Sequence, residues 1–281
     1  MTACRGRWKP SPVAEGCSIR VFSHTASNTE IVCALGLAEV LVGVDADSDH
    51  PPEVVTRLPR PGRDLDLDLD AVAALKPDLV LGSLTVPGHE RLVEGLRARG
   101  LSVLVQAPTS LAEVFADIRR IASALGHRER GERLVAELDA GMPVVRRSWR
   151  PRVLVEWWPK PVIAAARHSW VHELIERAGG DNALADQDRA TATLTPEQAR
   201  EVAPDLVAIS WCGVPLSHYR PRQVLQRPGW AAVPAVQRGA VVPITEAFLG
   251  RPGPRLLAGY RALCAALDPL APALSPSPPS V

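Results

Sequence analysis

The seven histidines are the side chains of this 281-residue sequence best suited to bind metal or move protons near neutral pH. His24, His50, His168 and His172 fall near predicted strand ends or loops. A zinc centre needs three or four converging donors, and no HxH or HExxH spacing joins these residues, so no direct metal site is predicted. Asp64, Asp66, Asp68 and Asp70 alternate with leucine. A calcium loop counted from Asp64 would need Gly at its sixth place and Glu at its twelfth, where Leu69 and Leu75 stand. These aspartates therefore read as a solvated extended stretch leading into a helix. Ser23 and His24 are neighbours, but a catalytic pair must meet through space with a third group orienting the base. No GxSxG elbow, Walker loop or GxGxxG after a strand is present. The sequence predicts no enzyme. Cysteine is odd in number (Cys4, Cys17, Cys33, Cys212, Cys264) and forms no CxxC, which argues against zinc knuckles and a disulfide framework.

Aromatic residues are few, yet nine of the twelve lie beyond residue 148, so they concentrate in the half that contains Trp157, Trp158, Trp170, Trp211 and Phe248. Tryptophan offers a flat apolar face and a single N–H donor. Adjacent residues on a strand point to opposite sides, so Trp157 and Trp158 cannot both enter one core. Trp211 follows a predicted strand, at the carboxyl end where α/β sheets gather ligands. Only three of the 32 basic residues are lysine, which makes a stray arginine pair weak evidence for an anion site.

Elements that position these residues follow from the apolar periods. Strands are predicted at Ser18–Phe22, Val40–Val44, Asp78–Gly82 and Ser102–Gln106, then at Arg152–Glu156, Val162–Ala166, Leu206–Ser210 and Ala240–Ile244. Helices alternate with them, which implies α/β architecture with parallel sheets. Ser27-Asn28-Thr29-Glu30 reads as a capping box. A long apolar repeat from Leu111 to Leu125 is interrupted by Gly126, and a second helical stretch runs from about Glu129 to Asp139. Residues 18–108 thus form a first lobe, 109–148 a helical segment with a linker helix, and 149–268 a second lobe. Residues 1–17 read as an irregular lead and 269–281 as a disordered tail.

The clearest internal signal is an echo. Leu69–Val80 ends in Lys76-Pro77-Asp78-Leu79-Val80, and Thr195–Val207 ends in Ala203-Pro204-Asp205-Leu206-Val207. Each reads as a capped helix stopped by proline and feeding a buried strand. Two similar lobes would face each other across a cleft, where ligands often bind.

With Val21–Glu30, Gly43-Val44 before Ser48-Asp49-His50-Pro51-Pro52, Leu75–Val80, Trp170–Gly180 and Arg251–Arg255, the chain resembles the helical-backbone (class III) periplasmic binding proteins of ABC transporters. Within them it is similar to the vitamin B12-binding group. The resemblance covers about Arg20 to Leu267. It implies two Rossmann-like lobes, one connecting helix and a non-catalytic, monomeric binder of a large ligand held between the lobes. Cobalamin or a related corrinoid is the expected ligand, with haem or a ferric siderophore as the alternative. His24, Thr25, Ala26, Ser48 and His50 would line one wall. Trp157, Trp158, Trp170, Trp211, Phe248 and Arg251 would supply the other, and His24 or His50 is the candidate axial ligand to a bound cobalt or iron.

The same resemblance implies an ABC permease partner that is engaged by one glutamate on each lobe. Glu90 fits the first position. The second lobe offers Leu216–Arg222, whose Arg220 and Arg222 are basic, so coupling to a standard B12 permease is not expected. A net charge of +1 gives no electrostatic case for nucleic acid. The first twenty residues lack an apolar segment. From the sequence as given the protein is expected in the cytoplasm, or in the periplasm or cell envelope if translation starts upstream.

Overall fold

The computed structural model describes residues 19–270, and the chain divides into two compact units. Unit 1 contains residues up to 107 together with 117–134, and unit 2 contains 108–116 and the remainder from 135. The lead at 1–17 and residues 271–281 of the expected tail lie outside the described residues.

Unit 1 is built on strands β1 (Val21–Ser23) and β2 (Leu41–Val44), a small hairpin β3 (Gly62–Arg63) and β4 (Asp66–Leu67), and strands β5 (Leu79–Ser83) and β6 (Val103–Gln106). The main sheet runs β2-β1-β5-β6, with every neighbouring pair parallel. All five residues of β5 are buried, as expected of a strand covered on both faces. Helices α1 (Ala26–Ala34), α2 (Pro52–Val55), α3 (Leu69–Ala74) and α4 (His89–Ala98) connect the strands. Phe22, Leu67, Val72, Val80, Leu92 and Leu96 close one core. Chain order reverses between β1 and β5, and that switch point is where doubly wound sheets open a crevice at their carboxyl ends.

Two helices, α5 (Leu111–Ala124) and α6 (Arg128–Gly141), occupy the predicted helical segment. Ser110 caps α5 by accepting from the Glu113 amide at 3.2 Å. Gly126, at φ +80°, makes the turn between them.

Unit 2 carries β7 (Arg152–Pro159), β8 (Val162–Ala165), β9 (Asp181–Asn182), β10 (Thr191–Leu194), β11 (Leu206–Ile209) and β12 (Val241–Pro243). Its sheet runs β10-β8-β7-β11-β12, with β9 also paired to β7. The sheet is mixed, which corrects the expectation of parallel strands throughout: β7–β8 and β8–β10 are antiparallel. The physical reason is the short Lys160-Pro161 connection, since a parallel return needs a crossover of a dozen or more residues. Strand β10 alternates exposed and buried residues, as an antiparallel strand with one wet face should. Helices α7 (Trp170–Arg177), α8 (Pro196–Val202), α9 (Pro221–Leu225), α10 (Pro234–Gln237), α11 (Glu246–Leu249) and α12 (Leu256–Leu267) complete the unit. The core gathers Leu154, Ala164, Val207, Ile209, Trp211 and Trp230 among others.

The sequence echo has a structural cause. Asp78 accepts the Arg20 amide at 2.8 Å and returns its own amide to the Arg20 carbonyl at 2.8 Å. Asp205 does the same with Arg152, at 2.9 and 2.7 Å. In each unit the aspartate after the helix-stopping proline ties two parallel strands at their heads. Thr195 and Gln198 form the full capping box on α8, whereas Asp68 caps α3 by accepting from the Asp70 and Ala71 amides. The box expected at Ser27 does not form: α1 starts at Ala26 behind Thr25, and Ser27 to Glu30 lie inside its buried first turns.

Candidate functional site

In unit 1 the buried polar side chains cluster at the carboxyl ends of the strands: Ser23 at the end of β1 and His24 after it, Asp45 and Ser48 after β2, Ser83 at the end of β5 and Gln106 at the end of β6. Helix α1 adds Ser27, Asn28, Thr29 and Glu30, all buried. A helix with so many polar groups facing inward gains little from apolar burial, so these residues must satisfy one another. The Thr29 hydroxyl donates to Ser23 Oγ at 2.9 Å and lies 2.9 Å from Ser48 Oγ, which donates to Asp45 Oδ2 at 2.7 Å. Asn28 binds the carbonyls of His24 and Gly82 at 2.9 and 3.1 Å, bridging β1 to β5. Burial pushes the Asp45 carboxyl above its ordinary range against the pull of Ser48, His24 and the Asp47 amide.

Thr25 links β1 to α1 at φ 78°, ψ 139°, a region that β-branched residues avoid. Such strain is held only where surrounding contacts over-determine the backbone, and it collects at binding sites. Of the predicted residues on this wall, Thr25 is half-buried and His50 is exposed, while His24, Ala26 and Ser48 are buried.

His24 has a partner that the sequence reading assigned to solvent. Asp64 occupies the two-residue turn between β3 and β4, and Gly62, at φ +134°, permits the hairpin. The hairpin folds Asp64 onto two buried imidazoles. His89 Nε2 lies 2.8 Å from Asp64 Oδ1, and His24 Nε2 lies 3.4 Å from the same oxygen and 3.0 Å from the Asp64 carbonyl. The rings stand edge to face with centroids 4.9 Å apart. Burial acts to lower the His24 pKa, but the hydrogen bonds and charge of Asp64 outweigh it and the net shift is upward. Burial likewise acts to raise Asp64, and the two histidines hold it well below the usual carboxylate range. Asp66, Asp68 and Asp70 are exposed along the stretch into α3, as expected; Asp64 and His89 were not legible as partners, because 25 residues and three elements separate them.

In unit 2 the predicted aromatics divide. Trp158 is 41% exposed at the carboxyl end of β7, with its indole N–H on the Lys160 carbonyl at 3.1 Å. Trp157, one residue earlier, is buried, as the strand pleat requires. Trp211 is a core residue, and its indole donates to Glu156 Oε1 at 2.9 Å. Glu156 is fully buried and receives both Arg227 nitrogens, at 2.7 and 2.8 Å, while the Arg227 guanidinium stacks 4.3 Å over Trp230. Trp170 is half-buried and donates to the Leu249 carbonyl at 2.7 Å. Phe248 is half-buried beneath the Arg255 guanidinium at 5.0 Å, and Arg251 lies 3.5 Å from Glu246. Glu90 is exposed in the first turn of α4, and Arg220 and Arg222 are exposed at α9.

Large apolar side chains are also exposed near these strand ends: Leu84 and Val86 after β5, and Leu65 in the Asp64 turn. Exposed apolar side chains beside buried polar groups at the carboxyl ends of the strands mark a candidate contact surface for a ligand.

That reading agrees with the relatives of the sequence. Residues 21–247 match the family described as periplasmic binding protein, and the chain belongs to that family, in the class III group that includes vitamin B12 binders. It is 25% identical over 259 residues to the vitamin B12-binding protein of Yersinia pestis (strain Pestoides F), covering 91% of this chain and 87% of the relative. It is 27% identical over 260 residues to YvrC of Bacillus subtilis (strain 168), an uncharacterized ABC transporter substrate-binding lipoprotein, covering 89% and 80%. Among solved structures it is similar to the periplasmic heme-binding protein RhuT from Roseiflexus sp. RS-1, with 31% identity and a TM-score of 0.78 over 91% of this chain and 100% of that one. Among the described residues no helix is long and apolar enough to cross a membrane.

Proposed function

We propose that this protein is a non-catalytic solute-binding component of an ABC transporter and that its ligand is cobalamin or a related corrinoid. The carrying observation is the exposed indole of Trp158 at the carboxyl end of β7, an apolar plane in a unit rich in tryptophan. A corrin presents a broad, partly apolar face that such an indole can cover. Considered by itself, unit 1 exposes Leu65, Leu84 and Val86, with Thr25 half-buried and His50 exposed. The similarity to the Yersinia vitamin B12-binding protein supports the same ligand.

Haem is the second reading, favoured by the similarity to the Roseiflexus heme-binding protein. Parallel titrations with cyanocobalamin and hemin, followed by calorimetry and visible spectra, separate the two. Saturable cyanocobalamin binding at or below about 10 μM, roughly −7 kcal/mol, is the expected result. No binding of cyanocobalamin over that range would refute the corrinoid assignment, and hemin uptake would then assign haem.

The site of action is the cell envelope, in place of the cytoplasm expected from the N-terminal residues; the periplasmic and lipoprotein relatives support this. Glu90 is the docking carboxylate for a permease, and Arg220 and Arg222 would repel an arginine-lined pocket. Fractionation of cells expressing the native locus tests the location: recovery from the envelope is expected, and recovery from cytosol alone would overturn it.

A further inference from the structure

We propose that His24, Asp64 and His89 form a binding site for one borderline divalent transition-metal ion such as Zn²⁺ or Co²⁺. A donor atom from each residue lies within 4.8 Å of the other two. Both imidazoles present Nε2 to the same carboxylate oxygen, at 3.4 and 2.8 Å. Tetrahedral donors at zinc–nitrogen and zinc–oxygen bond lengths are separated by about 3.3 Å. The His24–Asp64 spacing already matches, and the His89–Asp64 spacing needs to open by roughly half an ångström.

Stability alone is a poor account of this cluster. His24 Nδ1 and His89 Nδ1 are buried without hydrogen-bond partners, so Nε2 is the one nitrogen of each ring that is hydrogen-bonded. Burying two imidazoles with half of their polar atoms unanswered disfavours the fold relative to an apolar pair. The position is telling as well. His24 directly follows β1, His89 opens the helix after β5, and these two strands flank the point where chain order reverses.

Donor chemistry selects the ion. Two imidazole nitrogens and one carboxylate suit zinc, cobalt or ferrous iron; magnesium and calcium prefer all-oxygen sets, and copper(I) prefers sulfur. Three protein ligands leave one position open. Asp64 is 32% exposed while both histidines are sealed, so the open position faces solvent on the Asp64 side. The site does not depend on the corrinoid assignment: failure to bind cyanocobalamin leaves it standing, and failure to bind metal leaves the corrinoid reading untouched.

The test uses the full chain, stripped with chelator and titrated with Co²⁺ by calorimetry and visible absorption, then challenged with Zn²⁺. Expected are one equivalent of Co²⁺ with tetrahedral d–d bands, displaced by Zn²⁺. His89→Gln should weaken uptake by more than about 100-fold, since even outer partners of metal ligands cost up to that much. Asp64→Asn, in a partly exposed turn, serves as the second variant if His89→Gln does not fold, and circular dichroism checks both. His168→Gln, on the surface of unit 2, should leave the titration unchanged. Absence of uptake at about 100 μM Co²⁺ (a Kd weaker than roughly −5.5 kcal/mol) overturns the site. Equal uptake by wild type and by folded His89→Gln or Asp64→Asn overturns it too.

Discussion

Arg227→Met tests how far the core of unit 2 depends on one buried ion pair. Glu156 is 0% exposed and Arg227 12%, and they share two hydrogen bonds of 2.7 and 2.8 Å. Methionine keeps much of the side-chain length and apolar packing but removes the charge and both donors. It leaves Glu156 with the Trp211 indole, at 2.9 Å, as its remaining side-chain donor. Breaking one side of a buried pair costs about 3–5 kcal/mol, and the lost stacking on Trp230 adds about 0.5–1 kcal/mol. The Trp211 bond offsets part of this, so about 4 kcal/mol is expected. For a unit of this size that lowers Tm by about 8–16 °C. Urea unfolding followed by tryptophan fluorescence should show a lower midpoint with an unchanged slope. Glu156→Gln combined with Arg227→Met removes both charges and should recover at least about 2 kcal/mol relative to Arg227→Met alone. A single-variant loss below about 1 kcal/mol, or no recovery in the double variant, would refute the argument that the carboxylate is held by its partner.

Three further outcomes follow from the same geometry. Trp158→Ala should cost at most about 1 kcal/mol of stability, because the residue lies at the surface, 41% exposed, yet weaken cyanocobalamin binding by about 2 kcal/mol, or roughly 30-fold; calorimetry beside a melting curve reads both. Thr25→Gly should stabilise unit 1 by about 1 kcal/mol, since relief of a strained φ of 78° exceeds the entropy cost of glycine; a drop in urea midpoint would contradict it. Burial, aided by the charges of Glu30 and Glu53, pushes the Cys33 thiol up to about 11. At pH 8 its thiolate fraction is then about one in a thousand, and mass spectrometry should find its alkylation by iodoacetamide about 100-fold slower in the native protein than in urea.

Much of the architecture was readable from the sequence because it rests on local rules. Proline after a helix, a continuous apolar run after Pro-Asp and glycine between two amphipathic stretches each act within a few residues. They placed β5, β11, α5 and α6 within one or two residues of where they lie. Local signals also mislead when a partner lies far along the chain. Ser27 looks like a cap, but helix α1 begins one residue before it and turns its hydroxyl toward Thr25, at 3.1 Å. Trp157, Trp158 and Trp211 look equivalent as indoles after strands, and only the pleat and the Glu156–Arg227 pair decide which is surface and which is core.

By itself the sequence determined the class: two α/β units with the aromatics concentrated in the second, and motifs of the periplasmic binding protein family. Tertiary structure alone decided the grouping of His24, Asp64 and His89. Their separations of 40 and 25 residues carry no periodic signal, because the spacing is set by the hairpin at Gly62 and by the pairing of β1 with β5. Asp64 in an alternating Asp-Leu run has the composition of a wet loop. It becomes the partner of two buried imidazoles only when the sheet brings the ends of two strands side by side.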